Sequence, residues 1–210
     1  MRARDCFAEY RARGGLRLPF ATVIDDFVDI ETCDELAHRI DLLNPEVAPI
    51  TTHFGPVMRL DIRNNERVIF DDEALAASLF ARIESLVPEE LEGEWPQTTK
   101  REPGHFWHPV GLNERFRGYR YRQGHRFAPH FDGAFKRGES EISALTFLLY
   151  LRDNCEGGET RLLDYGVTVT PKRGSVFMFD HFVRHEGAEV LRGEKTVLRS
   201  DVMYRTKEAP

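Results

Sequence analysis

From about residue 110 onward the sequence is a series of extended runs separated by glycine-containing turns, with no helical period between them. That pattern restricts the chain to an architecture built mainly from antiparallel strands. The runs fall at Phe116 to Arg122, Ile142 to Leu151, Val167 to Thr170, Ser175 to Phe179 and Thr196 to Tyr204. The expected fold class is mainly β with flanking helices (α+β), around a jelly-roll, cupin-like core of the double-stranded β-helix kind. The first half supplies the helices. Asp29 to Leu43 has helical periodicity, with Ile30, Leu36, Ile40 and Leu43 on its apolar side and Thr32 as its cap. A second helix is expected over 71–86, where Leu75, Leu79, Phe80 and Ile83 recur before Val87-Pro88 ends it. Residues 1 to 19 are polar and Arg-rich, and Leu18 to Ile24 reads as a short strand. The chain therefore divides near residue 110, into an N-terminal helical and strand region (1–109) packing on the core and the core domain itself (110–207).

Composition narrows the function classes. With 210 residues, 41% of them hydrophobic and 11% aromatic, the chain suits one compact domain or a core with an N-terminal extension. A net charge of -6 and a pI near 5.8 argue against general nucleic-acid binding. No apolar run approaches the roughly 18 residues of a membrane helix, and Met1-Arg-Ala-Arg-Asp5 lacks the apolar core of a signal peptide, so no membrane partner is expected. Cys6, Cys33 and Cys155 lack paired spacing and read as free thiols of a reducing, cytoplasmic compartment.

The chemistry is carried by His130-Phe131-Asp132, answered 53 residues later by His185 and then by Lys195. On an extended strand residues i and i+2 point the same way, so His130 and Asp132 can reach one ion while Phe131 faces away. His185 can complete the set from the stretch that follows Gly174 to Asp180. Two imidazoles and a carboxylate can occupy one face of an octahedral Fe(II), leaving open positions for an oxidant and a co-substrate.

Around that triplet the text reads Tyr121-x-x-Gly124-x-x-Phe127-x-x-His130-x-Asp132, Leu145 to Leu151, Gly157-Gly-Glu-Thr160 and Pro171-x-x-Gly174. It continues with His185-Glu-Gly187, Gly193-Glu-Lys195 and Leu198 to Tyr204. This ordered set, covering about residues 113 to 206, resembles the prolyl 4-hydroxylase-like branch of the Fe(II)/2-oxoglutarate-dependent dioxygenases. The resemblance implies that the core domain is catalytic, with His130, Asp132 and His185 as iron ligands and Lys195 as partner of the far carboxylate of 2-oxoglutarate. It also implies Tyr121, Tyr150 and Thr160 around that co-substrate. Lys195 stands on a physical reason as well: a dicarboxylate held inside a barrel needs a cation at its far end. Arg199, with the same inward parity, is the competing cation. Two details qualify the match. Family members that halogenate replace the acidic ligand with a small residue, whereas Asp132 is present, so hydroxylation is expected. Phe127 stands where many relatives carry a tyrosine, which removes a hydroxyl from that position.

The activity so implied converts 2-oxoglutarate and O2 to succinate and CO2 while an unactivated C–H is hydroxylated, with ascorbate as a further expected cofactor. For the primary substrate the branch points to a prolyl or other residue of a peptide or protein. A free amino acid or natural-product intermediate is the alternative, and a non-catalytic jelly-roll binding or sensor module is the reading from another class. Pro103 to Pro109, with Trp107 inside it, reads as a substrate lid or as a packed linker. Arg117 shares the parity of Tyr121 and so is either a contact for an anionic substrate group or a paired or solvated charge. His181 reads as a residue that orients the site, while His53, His105 and His108 have no committing spacing.

Overall fold

A computed structural model describes residues 1–8, 18–52, 54–93 and 106–206. In chain order the elements are β1 (Arg2–Asp5), β2 (Ala21–Asp25), α1 (Ile30–Leu42), β3 (Glu46–Val47), β4 (Ile50–Thr52), β5 (Gly55–Val57) and β6 (Glu66–Asp71). Then come α2 (Glu73–Phe80), a 3-10 turn (Glu84–Leu86), β7 (Leu91–Glu92), β8 (Phe106–Leu112), β9 (Arg115–Arg122) and β10 (Phe127–His130). The rest are β11 (Glu141–Arg152), β12 (Cys155–Gly157), β13 (Thr160–Leu162), a second 3-10 turn (Leu163–Tyr165), β14 (Val167–Val169), β15 (Val176–Asp180), β16 (His185–Gly187) and β17 (Val190–Thr206).

An antiparallel major sheet of eleven strands runs β1-β2-β15-β11-β17-β9-β6-β3, with β7, β8 and β12 attached to its flank. A minor sheet of four strands runs β10-β16-β13-β14. The central strand β11 is buried at every position except its last, which explains its unbroken apolar text: both of its faces are covered. One face, with Phe147 and Leu149, meets α1, α2 and Ile24, Phe27 and Ile40. The opposite face, with Leu148 and Tyr150, packs with Tyr119, Tyr121 and Val197 of the major sheet and Leu162 and Val169 of the minor one. The molecule is thus a helix layer, a major sheet and a minor sheet, the jelly-roll arrangement expected from the strand pattern.

Three local expectations need correction. The cap of α1 is Asp29, not Thr32: the Asp29 carboxylate accepts from the Thr32 N–H at 2.8 Å, which puts Thr32 at the donor position inside the first turn. The buried stripe of α1 is Cys33, Leu36, Ala37 and Ile40, whereas Ile30 and Leu43 are 65% and 46% exposed. Small Cys33 and Ala37 let the helix lie close to the sheet, and the larger end residues fall outside the contact. The second helix ends at Phe80, capped by Asp72, whose carboxylate accepts from the Leu75 N–H at 2.9 Å and also pairs with Arg39 of α1 at 2.5 Å.

Candidate metal centre

Strand register builds the site. Along β17, Lys195 lies opposite Tyr121, Val197 opposite Tyr119 and Arg199 opposite Arg117 of β9. On its other side Val197 lies opposite Tyr150, Arg199 opposite Leu148 and Asp201 opposite Thr146 of β11. Residues directly opposite share a face, so this polar row points from the major sheet toward the minor one. There β10 and β16 pair with His130 opposite His185. Asp132 lies just past the end of β10, where its N–H donates to the His181 carbonyl at 3.1 Å.

One donor atom from each of His130, Asp132 and His185 lies within 4.8 Å of the others. His130 Nδ1 is 2.8 Å from the Ala128 carbonyl and His185 Nδ1 is 2.9 Å from the Val183 carbonyl. A carbonyl only accepts, so each Nδ1 carries the hydrogen and each Nε2 keeps a lone pair for a metal, the usual outer support of metal-binding imidazoles. Phe127 stacks on the His130 ring at 3.6 Å and 14° between planes, fixing the imidazole from one side. Burial, with His185 alongside, lowers the His130 pKa to about 4, which keeps the ring neutral. Burial works against a charge on Asp132, but Arg199 and the neighbouring imidazoles hold the carboxyl well below the usual carboxylate range. The donor set fits a divalent cation: two neutral nitrogens and one anionic oxygen converging in a recess.

That recess is small, with a volume of about 40 Å³, and includes Lys195, Thr160, Tyr121, Leu148 and Arg199 in its wall. Lys195 is 2% exposed; its Nζ donates to the Gly158 carbonyl at 2.5 Å and lies 4.4 Å from the Tyr121 ring centroid. Burial lowers its pKa to about 8. The Gly158 carbonyl reaches it through the turn at Gly157 and Gly158, with φ of 75° and 72°. A Cβ on Gly157 would lie 2.4 Å from the Glu189 carbonyl oxygen, which accounts for the glycine there. Tyr150 is buried and its hydroxyl is 2.8 Å from Thr160 Oγ1.

Arg199 is engaged elsewhere: its Nη2 is 3.1 Å from Asp132 and 2.9 Å from Asp201. Arg117 reaches Asp201 at 3.1 Å, so its partner in the structure is a protein carboxylate. His181 is fully buried between Ser143 and Thr146, each 2.8 Å away, and Thr146 in turn donates to Asp132 at 2.6 Å. Trp107 is not brought to the recess. It is 6% exposed in the helix-side core, its indole N–H donating to the Gly93 carbonyl at 2.9 Å. Residues 103–105 of the suggested lid lie outside the described residues, as does His53, and Phe106 to Pro109 belong to β8 of the major sheet.

Sequence reasoning missed Thr146, Asp201 and Arg63. Asp201 was within reach, since it has the parity of Lys195 and Arg199. No motif points to Arg63, which is 5% exposed with its guanidinium 4.6 Å from the Tyr119 ring centroid and 4.3 Å from that of Phe127.

Residues 116–200 match the family model described as the 2OG-Fe(II) oxygenase superfamily. All the residues that line the recess, from Tyr119 to Arg199, fall inside that segment. The chain is 28% identical over 207 residues to prolyl 4-hydroxylase 1 of Arabidopsis thaliana, covering 84% of this chain and 66% of that relative's length. Among solved structures it is similar to the viral collagen prolyl hydroxylase of Paramecium bursaria Chlorella virus-1, at a TM-score of 0.56, 18% identity and coverage of 88% of this chain and 96% of that one. A prolyl hydroxylase from Trichoplax adhaerens in complex with a hypoxia inducible factor peptide fragment gives 0.57, 14%, 87% and 82%. The matched segment, the curated relative and the converging His, Asp and His donors agree: residues 116–200 are similar to the 2OG-Fe(II) oxygenase superfamily, and the relatives it resembles are prolyl hydroxylases.

Proposed function

We propose that this chain is an Fe(II)/2-oxoglutarate-dependent hydroxylase of a prolyl or other residue in a peptide or protein. The observation that supports this most is the convergence of two imidazoles, each tied by Nδ1, and one carboxylate in a recess that also holds a buried lysine. Bound there, Fe(II) would supply the activation of O2 that the protein's own groups lack. His130, Asp132 and His185 would hold it, and Thr146 and Arg199 would fix the Asp132 carboxylate on both of its oxygens. Lys195 would take the far carboxylate of 2-oxoglutarate, with Tyr121, Tyr150 and Thr160 shaping that end. Arg199 is the weaker candidate for this task because two carboxylates already occupy it. Apolar Leu148, Val197 and Phe127 would keep water from the reacting carbon.

The peptide reading takes support from the relatives, among them a prolyl hydroxylase solved with a peptide fragment. Ascorbate as a reductant and a cytoplasmic setting belong to the same proposal, the latter supported by Cys6, Cys33 and Cys155 standing as free thiols. The N-terminal region over 1–109 and the catalytic domain over 110–207 would then act as one body, since β2 and β6 hydrogen-bond into the same sheet as β15 and β9. The test is succinate formation from 2-oxoglutarate with Fe(II) and a panel of proline-containing peptides and free amino acids. Peptide-stimulated, iron-dependent succinate is the expected result; stimulation by free amino acids alone would replace the peptide reading with the small-molecule one.

A further inference from the structure

Around Tyr119, at the wall of the metal recess, guanidinium groups outnumber the carboxylates that could neutralise them. By register Arg67 of β6 lies opposite Tyr119 and Ile69 opposite Arg117, so β6 extends the concave face beyond β9. Arg199 and Arg117 have their partners in Asp132 and Asp201. Arg63 and Arg67 have none. Arg63 donates through Nε to the Asn65 amide oxygen at 2.7 Å, but its Nη2 is buried without a hydrogen-bond partner among the described residues. Its guanidinium is wedged between Tyr119 and Phe127, both of which line the recess, and Phe127 is the ring stacked on His130. Arg67 is half-buried and its side chain makes no ion pair or hydrogen bond among the described residues; Glu46, opposite it on β3, is exposed and forms no ion pair with it. Burial lowers the pKa of Arg67, Tyr119 works against that shift, and the neighbouring charges of Arg63, Arg117 and Arg115 add to it.

Iron and 2-oxoglutarate would not remove this surplus, because a divalent cation and a dianion cancel each other. An unpartnered buried donor is destabilising, more so when charged, and an incoming anion would relieve it. We propose that Arg63 and Arg67 form a carboxylate-binding subsite beside the metal recess, so that the primary substrate carries a carboxylate close to the carbon that is hydroxylated. Two planar guanidiniums offer the paired N–H donors that a carboxylate accepts, Arg63 as the inner member and half-buried Arg67 as the outer one. Exposed Ile69, further along the same face, is available to the aliphatic part of the substrate. The proposal rests on the hydroxylase reading for the position of the reacting carbon, while the subsite itself is tested by binding alone.

The experiment titrates labelled peptides into the protein loaded with Mn(II) and 2-oxoglutarate. Each peptide has one proline flanked by Glu, Gln or Lys, made with a free or an amidated C-terminus, and free L-proline is a further probe. The Glu peptide should bind at least about tenfold more tightly than its Gln counterpart, about the value of one charged hydrogen bond, and the gap should shrink with salt. Tighter binding confined to free C-termini or free proline would identify an α-carboxylate as the source. Arg67→Gln should bring the Glu and Gln peptides to within about twofold, and Arg67→Glu should favour the Lys peptide, a reversal that loss of structure would not produce. Equal affinity of acidic and amide probes for the parent protein, or no binding of any acidic probe, overturns the proposal without any variant. So does a preference that survives Arg67→Gln. Succinate assays on the same samples with Fe(II) separate the two readings: preference without turnover sinks the hydroxylase, and turnover without preference sinks the subsite.

Discussion

Single side chains divide the work of the recess in a way that substitutions can separate. Lys195 is buried and makes no ion pair among the described residues, its Nζ meeting a carbonyl and a ring face, so a co-substrate carboxylate would find it unpaired. Lys195→Ala should weaken 2-oxoglutarate binding by about a hundredfold or more, consistent with loss of a buried charge partner, while Mn(II) binding survives. Calorimetric titration reads both. The pH dependence has a definite sign. Burial holds the free Lys195 pKa at about 8, and the dianion prefers the ammonium form, so affinity should be flat below that pH. Above it, affinity should fall by about tenfold per pH unit as the proton is lost. Arg199→Ala should act differently, loosening Asp132 and removing one of the two arginines on buried Asp201; we expect metal affinity to drop about 10- to 100-fold, the usual cost of losing a group that holds a metal ligand in place, which Co(II) absorption can follow. Strand parity made Lys195, Arg199 and Arg117 legible as inward residues, but parity cannot say which inward cation meets which carboxylate. That depends on Asp201 and Thr146, which become neighbours only when β17 pairs with β11.

The elements that hold these side chains were legible in proportion to their length. Long β11 matches its apolar run closely, because a strand covered on both faces is apolar nearly throughout, and β9 and the central part of β17 match the extended runs of the sequence. The strands bearing the candidate metal donors His130 and His185 are too short for periodicity to register: β10 has four residues and β16 three. His130 and His185 were found through their chemistry instead. Trp107 shows the opposite failure, an aromatic beside glycine and proline that looked like part of a lid and packs as core. Trp107→Ala should therefore cost about 3–5 kcal/mol of stability, read from urea unfolding, and leave 2-oxoglutarate affinity of the folded protein within about twofold. Gly157→Ala should affect both stability and co-substrate binding, since the added Cβ would meet the Glu189 carbonyl in the turn that carries Gly158 to Lys195.

At the scale of the whole molecule, the minor sheet exists to face the major one across a single recess. The minor sheet brings the histidines, the major sheet brings the cations and tyrosines, and Asp132 sits on the link from β10 to β11. No helix is long and apolar enough to cross a membrane among the described residues. Charge differs across the sheet as well: Arg120 pairs with Glu66 and Asp41, whereas Arg63 and Arg67 form no ion pair among the described residues. The most direct measurement is a crystal structure of the protein grown without oxygen in Fe(II) and 2-oxoglutarate, with anomalous data collected at the iron edge. One iron peak should lie between His130 Nε2, His185 Nε2 and an Asp132 carboxylate oxygen, with the far carboxylate of 2-oxoglutarate on Lys195. An iron peak bound by any other set of residues, or a co-substrate whose far carboxylate rests on Arg199, would contradict that assignment.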